Sequence, residues 1–167
     1  NAGNATTTAD TTNATVDNIA PTVTDGNISI SGASGTAGAF KIGDTVTATW
    51  NNTGGGDNNP DIAGVTMDLS QFGGGAAVAA IEAPAGTWTA TFAIVAGAID
   101  AINRNVSVTA TDNAGNATTT ADTTNATVDS IAPTVTDANI SISGATGTAG
   151  AFKIGDTVTA TWNNTAG

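Results

Sequence analysis

The heptapeptide DTVTATW, Asp44–Trp50, alternates small polar and apolar residues with a period of two. This alternation is typical of a β-strand with one buried face, because successive side chains of a strand point to opposite sides. It predicts that Val46, Ala48 and Trp50 face a core, while the threonines between them face water. Threonine and valine also favour the pleated backbone, which supports a strand over a helix.

The same alternation recurs along the chain in TWTATFAIV (Thr87–Val95), NVSVTATD (Asn105–Asp112) and VTMDLS (Val65–Ser70). Turn residues separate about seven such strands, which is the number found in an immunoglobulin-like β-sandwich of about 100 residues. We therefore predict an all-β fold of this kind. The predicted strands are Ile19–Ser31, Asp44–Trp50, Ile62–Ser70, Ala76–Glu82, Thr87–Val95, Arg104–Asp112 and Ala117–Val128.

Two of these predicted strands contain irregularities. The first is expected to break near Asp25, where glycine follows. In the last strand Ala117 and Ala121 share one parity, whereas Ala126 and Val128 share the other. This phase slip predicts a β-bulge between the two halves.

The chain repeats itself, since residues 1–55 recur without gaps at 113–167, an offset of 112 residues from Asn1 to Asn113. Repetition at a fixed period is typical of tandem arrays. We predict that residues 1–17 are the last strand and linker of a preceding repeat, 18–129 a complete repeat, and 130–167 the first strands of the next. The copies differ at Asn18/Ser130, Gly26/Ala138, Ser34/Thr146 and Gly54/Ala166.

Both ends of the chain fall within a repeat, which we take to indicate an excerpt from a longer array. A lone strand or hairpin is marginal in water, because it leaves backbone groups unpaired and buries little apolar surface. We therefore expect both ends to pair with neighbouring copies of the repeat, either in one continuous chain or between chains.

Composition and charge exclude several classes of function. With three basic and fourteen acidic residues, the net charge of -11 would repel phosphate backbones and anionic membranes, so we expect neither nucleic-acid nor direct membrane contact. The absence of cysteine and histidine excludes thiolate nucleophiles, Ser-His-Asp triads and common zinc sites. We expect no enzyme, because the best carboxylate pairs, Asp57 with Asp61 and Asp68 with Glu82, lie in no recognisable apolar pocket.

Acidic residues at one end of the predicted sandwich suggest a cation site. In an immunoglobulin-like topology the first strand starts beside the loop NNTGGGDNNPD (51–61) and the turn DNAGN (112–116). A calcium ion, which takes about six to eight oxygen ligands, would relieve the repulsion between carboxylates that converge there. The alternative is that these are ordinary turn residues, because Asp and Asn tolerate tight turns. The predicted ligands are Asp17, Asp57, Asp61, Asp112 and Asn116.

Asn-x-Ser/Thr sequons form a second pattern, and N-linked sugars on them would coat strands and loops if the source organism glycosylates. The alternative is chance, in a chain rich in Asn and Thr. In the predicted strands Asn27, Asn105 and Asn125 have outward parity, and Asn51 begins a loop. The sequons are at Asn4, Asn13, Asn27, Asn51, Asn105, Asn116, Asn125, Asn139 and Asn163.

Two longer strings carry a family resemblance: VTATDNAGNATTTADTTNATVDSIAPTVT (108–136) and FKIGDTVTATW (40–50). They resemble the repeat junction and second strand of bacterial immunoglobulin-like tandem repeats in giant cell-surface adhesins, and similar repeats occur in archaeal surface proteins. The motifs DNAGN, VDxIAPTVT and KIGDTV carry this resemblance, which covers the whole chain. It implies an extender module of a cell-adhesion protein, often stiffened by calcium at its linkers.

We therefore expect a structural spacer repeat of a long extracellular surface protein or filament that projects a binding end from the cell. Pro21 would stiffen the linker by fixing φ, and Ile19 is expected to pack into the junction. Two alternatives stay open. One is a self-assembling filament or surface-layer subunit that polymerises by strand exchange. The other is a carbohydrate- or protein-binding module that uses the loop QFGGGAAVAA (71–80).

Overall fold

The computed structural model describes residues 2–165, and these form β-strands, short 3-10 turns and loops, without an α-helix. The predicted all-β class is therefore confirmed. The chain divides into two compact units, residues 1–130 and residues 131–167, which we call the first and second units. Across the described residues, no helix has the length and apolar character needed to cross a membrane.

The described part of the first unit contains eleven strands in three sheets. The sheets have the orders β1-β3-β7-β6, β10-β9-β4-β5 and β2-β11-β8. All pairs are antiparallel except β2 with β11. The strands are β1 Ile28–Ser31, β2 Phe40–Lys41, β3 Thr45–Asn51, β4 Ile62–Asp68, β5 Val78–Ala79, β6 Ile81–Glu82, β7 Thr87–Ala93, β8 Asp100–Arg104, β9 Ser107–Asp112, β10 Ala117–Ala121 and β11 Ala126–Asp129.

One hydrophobic core receives side chains from all three sheets, which gives the first unit a β-sandwich-like character. The predicted inward residues of β3, Val46, Ala48 and Trp50, are fully buried. Opposite them on β7 lie Phe92, Ala90 and Trp88, respectively. The second face of the core comes mainly from Val65 and Met67 on β4 and from Val108 and Ala110 on β9.

Two predicted strands are shorter or more divided than the alternation suggested. The strand predicted from Ile19 begins only at Ile28, since residues 19–24 form no strand, and a 3-10 turn at residues 25–27 lies at the predicted break. The predicted strand Ala76–Glu82 is divided into β5, which pairs with β4, and β6, which pairs with β7. The chain therefore crosses from one sheet to the other at Ala80. Two strands, β2 and most of β8, were not predicted.

The phase slip in the last predicted strand marks a change of sheet, so the predicted bulge between its halves is wrong. β10 pairs with β9, whereas β11 pairs with β2 and β8. Asp122 is buried at the crossing, where its Oδ1 accepts the Thr124 N–H. The Thr123 N–H and hydroxyl both donate to the Asp25 carboxylate, at 2.8 and 2.6 Å. These bonds attach the crossing to the turn before β1.

The second unit contains a two-stranded antiparallel sheet of β12 (Ile140–Ser143) and β13 (Thr159–Trp162). Ile140 lies opposite Trp162, as Ile28 lies opposite Trp50 in the first unit. The side chains of this hairpin are exposed. At the other end of the chain, the described residues 2–17 contain no strand and are exposed.

Candidate functional site at the linker

Four of the five predicted cation ligands come together at one end of the first unit, and three of them are carboxylates. The carboxylates of Asp17, Asp61 and Asp112 each offer an oxygen, and these oxygens lie within 4.8 Å of one another. Asp17 lies in the linker VDNIAPTVT (16–24), Asp61 ends the loop 51–61, and Asp112 ends β9. We call these three residues the acidic triad.

Asp112 is the buried member of the acidic triad, with 2% of its surface exposed. Its Oδ1 accepts the N–H groups of Ala114 and Asn116 at 2.9 and 2.8 Å, and its Oδ2 accepts from Nδ2 of Asn116 at 2.9 Å. Burial acts to raise the pKa of Asp112, but the hydrogen bonds from Asn116, Ala114 and Gly115 outweigh it and lower the pKa. The carboxylate is therefore ionised at neutral pH.

Asp61 reaches Asp112 because their two strands are neighbours. β4 pairs with β9, and Ile62 at the start of β4 lies opposite Asp112. The Asp61 carbonyl also accepts the N–H of Asn113 at 3.0 Å. This bond joins the loop 51–61 to the turn 112–116.

Two hydrogen bonds hold Asp17, one through its side chain and one through its backbone carbonyl. Its Oδ1 accepts the N–H of Ile19 at 3.1 Å, and its carbonyl accepts from Nδ2 of Asn116 at 3.3 Å. Because Asn116 contributes its amide nitrogen, which is a donor, it links Asp17 to Asp112 and offers no ligand atom through that nitrogen. The side chain of Ile19 is 76% exposed in this chain, and its packing against a preceding repeat stays a prediction.

Asn59 binds the linker and was not singled out in the sequence. Its Oδ1 accepts the N–H of Thr22 at 2.7 Å, and its Nδ2 donates to the Thr22 carbonyl at 2.8 Å. Its Nδ2 and backbone N–H also donate to Oδ1 of Asn52, which fixes its orientation. An Asn in a Gly- and Asn-rich loop carries no distinctive signal, so only the fold reveals this pairing.

Asp57, a further predicted ligand, lies outside the acidic triad and anchors the interior of the unit. Its carboxylate accepts from Thr24 N–H (3.0 Å) and hydroxyl (2.6 Å), from Nδ2 of Asn27 (2.7 Å) and from Nε1 of Trp50 (2.7 Å). Burial acts to raise the pKa of Asp57, but these bonds outweigh it and lower the pKa. The structure thus gives Asp57 a stabilising role.

The carboxylates of Asp68 and Glu82 accept local hydrogen bonds, whereas the glycine-rich loop packs into the core. Oδ1 of Asp68 accepts the N–H of Ser70, and Oε1 of Glu82 accepts the N–H of Gly86. In the loop 71–80, Phe72 is buried and packs edge-on against Phe40, with ring centroids 5.5 Å apart. This loop therefore directs its only aromatic ring into the core.

The sequons differ in how accessible their amides are. Asn4, Asn13 and Asn125 are exposed. The amide nitrogens of several others donate hydrogen bonds to neighbouring side chains, and Asn27 lies in a 3-10 turn where a strand was predicted. The engaged group comprises Asn27, Asn105, Asn116 and Asn139.

The acidic triad brings three negative charges together, and its side chains offer only oxygen atoms as ligands. Carboxylates within 4.8 Å of one another repel, and a hard divalent cation would remove that repulsion by binding several of them at once. Carboxylate oxygens suit hard cations such as Mg²⁺, Ca²⁺ and Mn²⁺, and this donor set does not distinguish among them. Asp17, Asp61 and Asp112 are the residues that would hold such a cation.

The sequence matches no protein-family model, and no curated protein or solved structure matches it at a significant level. Function therefore rests on the sequence repeat and on the geometry of the linker.

Proposed function

We propose that this chain is a structural spacer repeat of a long extracellular surface protein or filament. The observation that carries the proposal is that the sandwich binds the linker segment VDNIAPTVT (16–24) at two places. Asn59 pairs with Thr22 on one side, and Asn116 reaches the carbonyl of Asp17 on the other. In an array with a period of 112 residues, the same contacts would recur at each junction and limit bending there.

The sheet orders support an immunoglobulin-like topology for the repeat. β1, β3, β7 and β6 follow one another as strands A, B, E and D do in that fold, and β4, β9 and β10 follow the order C, F, G. The chain enters such a sandwich at one end and leaves it at the other. This arrangement suits a unit that acts as a spacer. The longest strands have seven residues and span roughly 23 Å at the usual rise of about 3.3 Å per residue.

A calcium ion on the acidic triad would make the junction stiffer. Asp17 belongs to the linker, whereas Asp61 and Asp112 belong to the sandwich, so one ion would bind both parts. Because such an ion binds only the folded arrangement, it would also stabilise the first unit by mass action.

The test is thermal unfolding of the full chain in millimolar calcium and in chelator. We expect calcium to raise the melting temperature of the first unit, and Asp17→Asn to abolish that increase. The asparagine can still accept the N–H of Ile19, so the turn is kept while the charge is lost. Asp137→Asn, in an exposed turn of the second unit, is the matched control and should keep the calcium response. Equal melting temperatures in calcium and in chelator would exclude the cation.

The spacer proposal has a separate test, which is the backbone order of residues 17–24 by ¹⁵N relaxation. We expect order parameters near those of β3, about 0.85 for a rigid backbone. Values below about 0.6 in calcium would contradict a stiff junction, whatever the outcome of the calcium experiment.

A further inference from the structure

Asp122 carries the one buried carboxylate oxygen among residues 2–165 that has no hydrogen-bond donor. The residue is 1% exposed and lies where the chain crosses from β10 to β11. Its Oδ1 accepts the N–H of Thr124 at 2.9 Å, and its own N–H donates to the carbonyl of Val106 at 2.9 Å. Its Oδ2 is the oxygen without a donor. Burying a charge without a partner is costly, so a bare carboxylate is unfavourable at this position.

A second carboxyl group, that of Asp25, lies beside Asp122. The N–H and the hydroxyl of Thr123 donate to the two oxygens of Asp25, at 2.8 and 2.6 Å, and Thr123 directly follows Asp122 in the chain. The hydroxyl and N–H of Thr123 lower the pKa of Asp25, burial opposes them, and a hydrogen bond with the Asp122 side chain lowers it further. Asp25 is therefore the ionised, accepting member of the two. We call Asp25 and Asp122 the carboxyl pair.

Few other charged groups surround the carboxyl pair. The crossing that contains Asp122 is hydrogen-bonded to the turn 25–27 and to the stretch 105–106. Apart from the carboxyl pair, the charged residues on or next to these segments and on β11 are Arg104 and Asp129. Arg104 takes part in no ion pair within the described residues, and Asp129 lies at the far end of β11 from the crossing. No neighbouring cation therefore balances two negative charges here.

We propose that the carboxyl pair shares one proton, which Oδ2 of Asp122 donates to the carboxylate of Asp25. This proton gives the buried oxygen a partner and leaves the pair with one negative charge instead of two. A metal ion fits less well, because Oδ2 of Asp122 is buried and both oxygens of Asp25 already accept from Thr123. The bond joins the turn before β1 to the crossing between β10 and β11. The proposal goes beyond the spacer function and does not depend on it.

The shared proton makes the stability of the first unit depend on pH. Unfolded aspartates lose their proton near about pH 4, whereas the folded pair keeps one, so its contribution is full in acid and is lost as pH rises. One extra proton in the folded state changes the unfolding equilibrium by up to about tenfold per pH unit. The lowered pKa of Asp25 acts in the opposite direction, but only as pH falls below the ordinary value of 3.8. The two effects are therefore separate above about pH 5.

The first experiment is infrared spectroscopy of the full chain at about pH 7. We expect the C=O stretch of a protonated carboxylic acid, because exposed carboxyl groups are ionised at this pH. Asp122→Asn should remove that band, and so should Asp25→Asn, which takes away the charge that holds the proton. Asp68→Asn is the matched control and should keep the band. Oδ1 of Asp68 accepts the N–H of Ser70 two residues ahead, as Oδ1 of Asp122 accepts that of Thr124.

The second experiment is denaturant unfolding of the full chain from about pH 5 to about pH 8, followed by circular dichroism. The ratio of unfolded to folded wild type should rise by up to about tenfold per pH unit relative to Asp122→Asn, whose amide donates without titrating. Calcium and chelator should leave this difference in slope unchanged.

A wild type without the protonated carboxyl band at about pH 7 overturns the proposal. So does a band that Asp25→Asn leaves in place, because burial alone would then hold the proton. Equal pH slopes for the wild type and Asp122→Asn, or a difference that calcium abolishes, overturn it as well. If Asp122→Asn does not fold, the infrared spectra of the wild type and Asp25→Asn still decide.

Discussion

Residues 18–53 and 130–165 are two copies of nearly one sequence in different surroundings. In the first copy Phe40 is 3% exposed and Trp50 is fully buried, whereas Phe152 and Trp162 in the second are 44% and 45% exposed. The strand register is nevertheless the same in both. The backbone of the hairpin is therefore specified locally, while its burial depends on residues 62–129.

In each copy, the loop between the two hairpin strands is also specified by local contacts. Asp44 accepts hydrogen bonds from Ser34 and from the N–H of Lys41, and Asp156 accepts the equivalent bonds from Thr146 and Lys153. These contacts span at most ten residues and need no second sheet. A protein can thus hold local structure in a segment whose share of the global stability is small.

The largest expected effect comes from truncating the same tryptophan in each copy. Trp50→Ala leaves a large cavity in the core and should cost about 3–5 kcal/mol in the free energy of unfolding. Trp162→Ala removes an exposed side chain and should cost at most about 0.5 kcal/mol. Denaturant unfolding followed by circular dichroism at micromolar concentration measures both. Similar losses in the two variants would mean that the two tryptophans are equally buried, which would contradict the difference described above.

The second effect concerns Asp57, which the second copy lacks. Asp57→Ala leaves Nε1 of Trp50 without its acceptor and frees Thr24 and Asn27. We expect a loss of about 3 kcal/mol, because a buried donor without a partner retains its desolvation cost. Asp137→Ala, on the surface of the second unit, is the control and should change stability by less than about 0.5 kcal/mol. A loss below about 1 kcal/mol for Asp57→Ala would contradict its anchoring role.

The smallest expected effect is a loss of stability at acid pH, and it should be similar in the two copies. The Ser34 hydroxyl, with the Lys41 and Ser34 N–H groups, holds the pKa of Asp44 well below its usual range, and the equivalent groups lower the pKa of Asp156. A lowered folded pKa stabilises the loop above the ordinary value of 3.8, and this contribution disappears as pH falls through the folded value.

Carboxyl ¹³C titration by NMR should therefore give midpoints below 3.8 at both positions. Ser34→Ala should raise the midpoint of Asp44, and Thr146→Ala should raise that of Asp156 by a similar amount. A normal midpoint at Asp156 beside a low one at Asp44 would show that the loop needs the cover of the second sheet.

Much of the sandwich could be predicted because its central strands have one buried face. In β3, β4, β7 and β9 the alternation identifies the buried positions, including Val46 and Val108. The convergence of Asp17, Asp61 and Asp112 followed from the expected strand order, which brings the linker beside two loops. In these places the local pattern and the tertiary structure agree.

The rest depends on contacts that are distant in sequence. The alternation in 117–128 cannot distinguish a bulge from a change of sheet, because both shift the parity by one residue. The sequence predicts Asp57 and Asp61 equally as ligands. In the structure Asp57 instead accepts from Trp50, whereas Asp61 joins the acidic triad. Asn59 and β8 likewise acquire their partners from segments that the local sequence does not specify.

The parallel pairing of β2 with β11 has a mechanical consequence. Val128 lies beside Phe40, Asp129 lies beside Lys41, and β8 flanks the other edge of β11. A tension applied along β11 from beyond Asp129 pulls these ladders lengthwise, so their hydrogen bonds share the load and have to rupture together. A strand loaded from its side would unzip one bond at a time at a much smaller force.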